Sequence, residues 1–389
     1  MISPARLDRD MTAPIPALTP TLRWTGDSVE IIDQTRLPSE LCLLDVRDAA
    51  TAVDAIERLA IRGAPALGAF GALAVVVGFD EAAPRSLDDA RSVLERLRTQ
   101  IGDARPTAVN LRWAIDRTID TALNASALNT SALNASALNT SDMADTATLR
   151  ERLLVEALAV GAEDAKACAE IGRLGREVLA DATTIATHCN AGRLATAGIG
   201  TALATVYAKA AAGDPVRVLA SETRPLLQGA RLTAWELADA GVDVSVVADG
   251  AMASLIAGGD VDAVIVGADR IAANGDTANK VGTFAHALAA ADAGIGFYVA
   301  APTTTIDPAM ASGDQIVIEH RNPDEIHHAG PSRLTPEGVH AMNPAFDVTP
   351  NRLITAIITD AGVLRPPFDE AIAEALRTDL AAQTGNGTC

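Results

Sequence analysis

The sequence predicts an α/β protein with a mainly helical N-terminal domain that carries a small sheet, followed by a C-terminal domain built on a parallel sheet. Two observations support this prediction. Up to about residue 180, most segments place apolar residues at helical spacing. Beyond that point, short β-prone runs alternate with helical runs at regular spacing, which is typical of βαβ units whose parallel sheet is covered on both faces.

Composition limits the function classes. The chain has 389 residues, enough for two domains, and a formal net charge of −19, which argues against binding to the phosphates of nucleic acid. The sequence contains no uninterrupted apolar run of about 18 residues that would suggest a membrane span. Residues 1–20 are Pro-rich and charged, unlike a secretory signal, and predict a flexible tail. The four cysteines show no CxxC pairing, so we expect a reduced, cytoplasmic chain.

The N-terminal domain is predicted over residues 21–146. The segment SVEIIDQTRLP predicts a short strand, and AATAVDAIERLAIRG predicts a helix that ends at a glycine. The run APALGAFGALAVVVGF is too apolar and too rich in small residues for a surface helix, so we expect it to be buried. Two more helices follow, separated at Arg105–Pro106.

A low-complexity segment rich in Asn and Ser, residues 123–142, follows these helices. It contains four Asn-x-Ser sequons, at Asn124, Asn129, Asn134 and Asn139. In an exported protein these would be glycosylation acceptors, but nothing else in the sequence supports export. The alternative is a repeat-expanded, poorly ordered surface loop. Residues 147–180 then predict a long amphipathic helix that connects the two halves.

The C-terminal domain is predicted over residues 181–368, with a tail at 369–389. Its strand-like runs, in chain order, are TTIATH, VRVLAS, VDVSVVAD, VDAVIVGAD, GFYVAAP and QIVIEH. The sequence has no G-x-G-x-x-G that opens a helix after a strand, and no G-x-x-x-x-G-K-[ST]. The dinucleotide-binding and NTP-binding classes therefore lose their main support.

Three segments that carry chemistry fall at the carboxyl ends of predicted strands, where open parallel sheets bind ligands. Cys189 follows TTIATH, Glu222–Arg224 follows VRVLAS, and Asp269 follows VDAVIVGA. A thiol and a carboxylate at neighbouring strand ends are candidates for one site. Each also has a plainer interpretation, because Cys189 suits an inert buried cysteine and Asp269 suits a helix N-cap. The three histidines within 320–328 lack the spacing of a metal site and predict a solvated loop.

Groups suited to an anion lie around these segments. RGAP and ARPT each place an arginine near a helix start, and AANGDTANKVGTF places an amide and a lysine in a predicted loop that leads into a helix. Helix N-termini, guanidinium groups and lysines commonly hold phosphate, although each group singly also suits a surface ion pair or a cap. The amide in LLQGAR suits a hydrogen bond to a sugar hydroxyl, or a helix surface. The candidates are Arg62, Gly63, Ala64, Arg105, Gln228, Asn279 and Lys280.

Taken together, five motifs resemble the 5-methylthioribose 1-phosphate isomerase family. They are IRGAPALG, ARPTAVNLRWA, THCNAGRLATAG, ETRPLLQGARLTAWEL and VGADRIAANGDTANKVGT. The wider superfamily also contains ribose 1,5-bisphosphate isomerases and the regulatory subunits of an initiation-factor exchange complex. The resemblance runs from about residue 21 to 368 and is interrupted by the Asn/Ser repeat.

The resemblance implies a Rossmann-like C-terminal domain, a homodimer, a small phosphorylated sugar as substrate, no nucleic-acid or membrane partner, and no metal or organic cofactor. It places the family's proton donor on Asp269 and its second catalytic residue on Cys189. It places the substrate-binding positions on the anion-binding candidates: Arg62, Gly63, Ala64, Arg105, Gln228, Asn279 and Lys280.

The implied reaction converts 5-methylthio-D-ribose 1-phosphate to 5-methylthio-D-ribulose 1-phosphate, an aldose-to-ketose isomerisation of methionine salvage and methionine biosynthesis. The phosphate on the anomeric oxygen prevents ring opening to a free aldehyde, so an acid must protonate the ring oxygen before hydrogen moves from C2 to C1. We expect Asp269, with a pKa raised by burial, to donate that proton, and Cys189 to assist at C1 and C2. The alternatives are a ribose 1,5-bisphosphate isomerase of nucleotide degradation and a non-catalytic regulatory subunit.

Overall fold

A computed structural model describes residues 19–106, 108–127 and 141–385. Within these ranges the chain forms a mainly helical N-terminal part with a three-stranded sheet, and a C-terminal part around a seven-stranded sheet. The predicted α/β class is therefore confirmed, while the Rossmann-like assignment and the domain boundaries stay predictions. The tail over residues 1–20 and the repeat over residues 123–142 lie largely outside the described residues.

The N-terminal part consists of a small antiparallel sheet and the helices that pack beside it. The strands are β1 (Leu22–Trp24), β2 (Val29–Ile32) and β3 (Leu43–Val46). The helices are α1 (Ala49–Glu57), α2 (Ala64–Ala82), α3 (Leu87–Gly102), α4 (Val109–Ala127) and α5 (Ser141–Val178). Side chains fix two of the starts: the Asp48 carboxylate accepts the N–H of Thr51 at 2.7 Å, and the Ser86 hydroxyl accepts that of Asp89 at 3.2 Å.

Helix α2 is the centre of the N-terminal core, as its composition predicts. Its residues from Ala66 to Phe79 are buried, and it packs against α1, α3, α4 and α5. Its length and apolar composition would also suit a membrane span, the one such helix in the described part of the chain, but most of its surface is buried inside the protein. Burial on all sides explains why it lacks a polar face.

Helix α5 links the two parts of the molecule. Leu149, Leu153 and Ala157 belong to the N-terminal core, whereas Ile171 belongs to a core of the C-terminal part against which Leu174 also packs. One continuous helix therefore supplies apolar side chains to both cores.

The C-terminal part contains two further sheets, a hairpin and six helices. The strands are β4 (Thr184–Thr187), β5 (Arg217–Ser221), β6 (Asp243–Val247), β7 (Ala263–Val266), β8 (Arg270–Ala272), β9 (Thr277–Lys280), β10 (Gly296–Ala300), β11 (Ile306–Asp307), β12 (His328–Ala329), β13 (Ser332–Arg333), β14 (Phe346–Thr349), β15 (Ala356–Thr359) and β16 (Gly362–Leu364). The helices are α6 (Ala202–Ala211), α7 (Ala234–Asp239), α8 (Asp249–Ala257), α9 (Thr283–Ala293), α10 (Asp324–His327) and α11 (Phe368–Gly385).

The seven-stranded sheet has the order β16-β15-β10-β7-β4-β5-β6, with β16 antiparallel to β15 and every other neighbouring pair parallel. From β4 the chain builds outward through β5 and β6, and it then returns to the other side of β4 to build β7, β10 and β15. The strand order therefore reverses between β4 and β7. A four-stranded sheet with the order β11-β8-β9-β14 lies just beyond the carboxyl end of β7.

Three expectations for this part differ from the structure. The run QIVIEH forms no strand, and β15, whose sequence is AIIT, is the outermost parallel strand instead. Lys280 lies in strand β9 rather than in a loop. Residues 369–385, assigned to a tail, belong to helix α11, whose Ile372 is buried in the C-terminal core. In the last two cases a tertiary contact decides: β9 pairs with β8 and β14, and α11 packs on the C-terminal core.

Helices α5 and α6 approach each other closely because α5 presents glycines to α6. A Cβ atom added to Gly172 would lie 2.9 Å from the carbonyl oxygen of Ala204, which belongs to the α6 backbone. Gly161, in the same helix, has room, since an added Cβ would lie 3.9 Å from the Cβ of Ala69. The two glycines therefore differ in their packing, but each lowers the stability of the helix by the same intrinsic amount relative to alanine.

We expect Gly172→Ala to lower the free energy of unfolding by about 1–3 kcal/mol, because α6 must move to admit the methyl group. Gly161→Ala is the matched control and should raise the free energy of unfolding by up to about 1 kcal/mol, because alanine favours the helix. Guanidinium denaturation followed by circular dichroism measures both. Equal effects of the two substitutions would contradict the close contact between α5 and α6.

Candidate active site

A cavity of about 330 Å³ lies at the carboxyl edge of the seven-stranded sheet, between that edge and the N-terminal part. Cys189 follows β4, Asp269 follows β7, and these two strands are direct neighbours. Both residues line the cavity. The strand order reverses between the same two strands, and a reversal of this kind is where open parallel sheets leave a crevice for ligands.

The cavity brings together most of the residues that the sequence singled out. One predicted residue, Asn279, does not line it: its side chain is 5% exposed and donates a hydrogen bond to the Thr283 hydroxyl at 3.0 Å. Side chains alternate along a strand, so Ala278 and Lys280 face the cavity and Asn279 faces away. The predicted residues that do line the cavity are Arg62, Gly63, Ala64, Arg105, Cys189, Gln228, Asp269 and Lys280.

The segment Glu222–Arg224 contributes to the frame of the site rather than to the cavity wall. The Arg224 guanidinium donates to the carbonyl oxygens of Ile326 and His328, at 2.9 and 3.3 Å. The hydroxyl of Thr223 accepts the backbone N–H of Cys189 at 2.9 Å. This segment therefore supports the turn that carries the thiol.

Cys189 has a strained backbone conformation. Its φ is 64°, in the left-handed region that side chains other than glycine seldom adopt. Two threonine hydroxyls hold it there, because Thr223 accepts from its N–H and Thr233 donates to its carbonyl oxygen at 2.7 Å. Strain held in this way is common at functional sites, where it fixes the direction of a side chain.

Gln228 and Thr233 border a π-helical turn, Gly229–Thr233, in the connection from β5 to α7. Gly229 is required in this turn because a Cβ there would lie 1.6 Å from the carbonyl oxygen of Ser221. The Oε1 atom of Gln228 is buried and accepts no hydrogen bond within the described part of the protein. A buried, unpaired acceptor on a cavity wall suits a ligand hydroxyl.

The carboxylate at the centre of the site has a raised pKa. Asp269 is an exposed residue, because its side chain opens to the cavity, yet the protein atoms packed around it reduce its solvation. Burial raises the pKa of Asp269, while the positive charges of Lys280, Arg105 and Arg62 oppose that rise. Because burial prevails, the neutral acid is favoured relative to an ordinary aspartate, which suits a proton donor.

The thiol is subject to the same forces. Burial raises the pKa of Cys189, and the charge of Asp269 adds to the rise, while the cations of Arg62 and Lys280 oppose it. The neutral thiol is therefore favoured relative to an ordinary cysteine, and the balance of burial against the nearby cations sets its reactivity.

Two cations are fixed at the cavity wall by backbone carbonyls. The Lys280 ammonium donates to the Ala345 carbonyl oxygen at 2.7 Å and lies 4.6 Å from the centre of the Phe346 ring. The Arg62 Nη2 atom donates to the backbone carbonyl of Asn190 at 3.0 Å and to its side-chain oxygen. The Nε atom of Arg62 is buried without a partner in the described residues, and the ammonium of a lysine has three donors, so both groups keep hydrogen-bonding capacity for an anion.

The N-terminus of α2 points at the same cavity. Gly63 precedes the helix with φ 94°, and a Cβ there would lie 2.5 Å from the Cα of Ala195. This close approach joins the N-terminal part to the segment that follows Cys189. The free N–H groups of the first turn, with Arg105 nearby, add to the positive potential at this end of the cavity.

Another part of the cavity wall is mainly apolar, and the sequence did not predict it. Met310, Ile316 and Val317 lie in the segment that follows β11, and Val317 is 89% exposed. The same segment carries Glu319 to the cavity wall. The sequence signal was the apolar run QIVIEH, which predicts a strand because period-two patterns do not distinguish a strand from an extended cavity wall.

The cation of Arg62 should lower the pKa of the Cys189 thiol, so Arg62→Gln should raise that pKa. The measurement is the pH midpoint of alkylation by iodoacetamide, followed at the Cys189 peptide by mass spectrometry. Arg58→Gln is the matched control, because Arg58 pairs with Asp33 and Asp54 away from the cavity. An unchanged midpoint in Arg62→Gln would show that the guanidinium does not act on the thiol.

Comparison with known proteins gives a consistent family. The chain is 47% identical over 355 residues to the 5-deoxyribose 1-phosphate isomerase of Moorella thermoacetica, with 91% of this chain and 97% of that protein covered. It is 48% identical over 358 residues to the methylthioribose-1-phosphate isomerase of Desulforudis audaxviator, with the same coverage of 91% and 97%.

The fold is also shared with a solved structure. The crystal structure of 5-methylthioribose 1-phosphate isomerase from Pyrococcus horikoshii matches with a TM-score of 0.84 and 36% identity, over 93% of this chain and 96% of that one. The family model described as the initiation factor 2 subunit family matches residues 60–366, which include both Cys189 and Asp269. The chain therefore belongs to the initiation factor 2 subunit family.

Proposed function

We propose that this protein isomerises 5-methylthioribose 1-phosphate to 5-methylthioribulose 1-phosphate, as an enzyme of methionine salvage, and that Asp269 and Cys189 are its catalytic residues. The observation that carries the proposal is the meeting of an aspartate with a raised pKa and a half-buried thiol at the reversal of the strand order, in a cavity lined by cations. The relatives named above act, by their names, on 1-phosphates of C5-modified riboses.

In this proposal the phosphate binds at the positively charged end of the cavity. Arg62, Lys280 and Arg105 supply charge, and the first turn of α2 supplies backbone N–H groups at Gly63 and Ala64. The Nε atom of Arg62 has no partner among the described residues, and in this proposal it donates a hydrogen bond to the phosphate. Several donors held from different elements keep the phosphate from rotating, which the reaction needs because the phosphate stays on C1 throughout.

The chemical step begins at the sugar ring. Asp269 gives its proton to the ring oxygen as the bond between that oxygen and C1 breaks, which opens the ring with positive charge at C1. The hydrogen on C2 then moves to C1, and the proton of the C2 hydroxyl returns to the protein as the C2 carbonyl forms. Atoms and charges balance, since one proton is given and one is regained.

Cys189 acts at C1 and C2 in this scheme. Its side-chain direction is fixed by the strained turn between Thr223 and Thr233, so a carbon atom held by the phosphate would meet the sulfur at a constant position. Once Asp269 has lost its proton, its charge favours the neutral thiol further. In one version the thiol first passes its proton to the Asp269 carboxylate, and the thiolate takes the proton from C2, returns it to C1 and regains a proton from the C2 hydroxyl. In the other version the neutral thiol stabilises the charge while a hydride moves directly from C2 to C1.

The apolar wall favours a sugar without charge at C5. Met310, Ile316 and Val317 suit a methylthio group, and they suit the methyl group of 5-deoxyribose 1-phosphate equally. Two of the other cations on the wall are already paired, since Arg270 contacts Asp307 at 2.8 Å and Arg321 contacts Glu325 at 2.5 Å. A second phosphate at C5 would therefore lie against apolar atoms and paired arginines, which disfavours ribose 1,5-bisphosphate.

A purely regulatory function has less support, because it requires neither the thiol nor the carboxylate. The homodimer that the family resemblance implies and the cytoplasmic location that the cysteine usage predicts are part of this proposal. Turnover by the purified protein separates an enzyme from a regulatory subunit directly.

Cys189→Ser and Asp269→Asn should each lower kcat by at least about 100-fold, because each removes a group that handles the migrating hydrogen or proton. Cys42→Ser and Asp260→Asn are the matched controls. Cys42 lies outside the cavity, and Asp260 precedes β7 at the other edge of the sheet from Asp269. Ketose formation and the thermal midpoint are measured for all four variants. Near-normal turnover in either of the first two, with an intact fold, would refute the mechanism.

The purified protein should convert 5-methylthioribose 1-phosphate and 5-deoxyribose 1-phosphate with kcat/KM values about 100-fold or more above that for ribose 1,5-bisphosphate, since the apolar wall penalises a second phosphate. Initial rates in low and in high KCl measure this ratio. A preference for the bisphosphate would assign the protein to ribose degradation, and no turnover of any of the three would favour the regulatory alternative.

A further inference from the structure

A buried carboxylate lies one layer below the cavity and takes no part in the chemical scheme above. Glu236, in α7, is 0% exposed. A Cβ added to Gly192 would lie 2.1 Å from its Oε1 atom, so the carboxylate packs directly on the backbone that follows Cys189. Burial raises the pKa of Glu236, while the charges of Arg193 and Arg62 and the donors around it oppose that rise.

Both oxygens of this carboxylate accept hydrogen bonds. Oε1 accepts from the side-chain amide nitrogen of Asn190, and Oε2 accepts from the Tyr207 hydroxyl at 3.1 Å. Burial and the nearby carboxylate raise the pKa of Tyr207 well above its ordinary value, so its hydroxyl stays a donor. Both Glu236 oxygens therefore face donors and act as acceptors, and this arrangement determines that the nitrogen end of the Asn190 amide faces the carboxyl group.

The other end of that amide reaches the site. With its nitrogen directed to Glu236, Asn190 directs its side-chain oxygen to the Nη2 atom of Arg62. In the described part of the chain, the hydrogen bonds of the Arg62 guanidinium go to Asn190 alone, through the side-chain oxygen and the backbone carbonyl at 3.0 Å. The direction of this cation therefore depends on one residue.

A second branch reaches the thiol. The Asn190 amide nitrogen also donates to the Thr233 hydroxyl at 3.1 Å, and that hydroxyl donates to the Cys189 carbonyl oxygen at 2.7 Å. Asn190 is 4% exposed and Thr233 is 0% exposed, so neither has water as a ready substitute partner.

We propose that Glu236 is a positioning residue, which orients the Asn190 amide and thereby holds the Arg62 guanidinium and the Cys189 turn at the cavity wall. The expected effect of Glu236 on turnover rests on the proposed function, whereas its expected effect on the pKa of the Cys189 thiol does not. Without the carboxylate the amide has no fixed direction, and Arg62 loses its acceptor and moves away from the cavity end that holds the anion. Hydrogen bonds that involve charged groups are strong enough to make this preference decisive.

The test is Glu236→Gln, which keeps the shape and replaces one of the two acceptor oxygens by an NH2 group, so that the Asn190 amide is no longer held in one direction. The control is Tyr207→Phe, which removes the other hydrogen bond to the same carboxylate and leaves Asn190 and the cavity lining unchanged. Three quantities are measured for each variant: the thermal midpoint, kcat and KM for 5-methylthioribose 1-phosphate, and the pH midpoint of Cys189 alkylation. A structural residue would affect the thermal midpoint alone.

The alkylation midpoint separates two opposed effects. Loss of a nearby negative charge by itself would lower the thiol pKa, whereas movement of the Arg62 cation away from Cys189 would raise it. We expect a rise towards the value of Arg62→Gln, together with a fall of about tenfold in kcat/KM that appears mainly in KM. Tyr207→Phe should change kcat/KM by less than about twofold and leave the alkylation midpoint in place.

A lowered or unchanged midpoint with a normal KM in Glu236→Gln would overturn the proposal. If that variant does not fold, Asn190→Ser interrupts the same connection without altering the buried charge and should raise the midpoint in the same way; an unchanged midpoint there would overturn the proposal too. Alkylation needs no substrate, so an inactive wild-type protein would refute the proposed function and leave this test valid.

Discussion

The reversal of strand order between β4 and β7 is the constraint on which the site depends. The connections leave these two neighbouring strands towards opposite sides, which opens a crevice at the sheet edge between them. Cys189 and Asp269 lie shortly after the carboxyl ends of the two strands, at this crevice. The pairing of β4 with β7 through Ile185, Ala186, Ala263 and Val264 therefore also sets the spacing of a thiol and a carboxylate that are far apart in the sequence.

The electrostatics of the site follow from its place between two packed bodies. Burial favours the neutral forms of Asp269 and Cys189, and the cations of Arg62 and Lys280 limit that effect. These cations are held by carbonyl oxygens rather than by carboxylates, so their charge is not neutralised before a phosphate binds. The buried carboxyl group of Glu236 is connected to Arg62 through the Asn190 amide, without an ion pair between the two.

Rigid contact between the two parts of the molecule maintains this arrangement. Helix α5 contributes to both hydrophobic cores, and Gly63 packs directly on the backbone of Ala195, so the amino end of α2 cannot move independently of the turn at Cys189. The cavity has one wall from each part. A phosphate held by the N-terminal part is thereby placed against the groups carried by the sheet of the C-terminal part.

The sequence by itself determined the α/β class, the buried helix at 64–82, the strands from β4 to β7, and the candidates at their carboxyl ends, because hydrophobic period and strand-end chemistry are local properties. Tertiary structure decided what a local pattern leaves open. The register of β9 directs Asn279 away from the cavity and Lys280 towards it. Tertiary packing places QIVIEH on the cavity wall and residues 369–385 in a helix. The fold also brings Glu236 into contact with Asn190. The sequence does not show which residue a buried glutamate in a helix will contact, because its hydrogen-bond partners are brought beside it only by long-range folding.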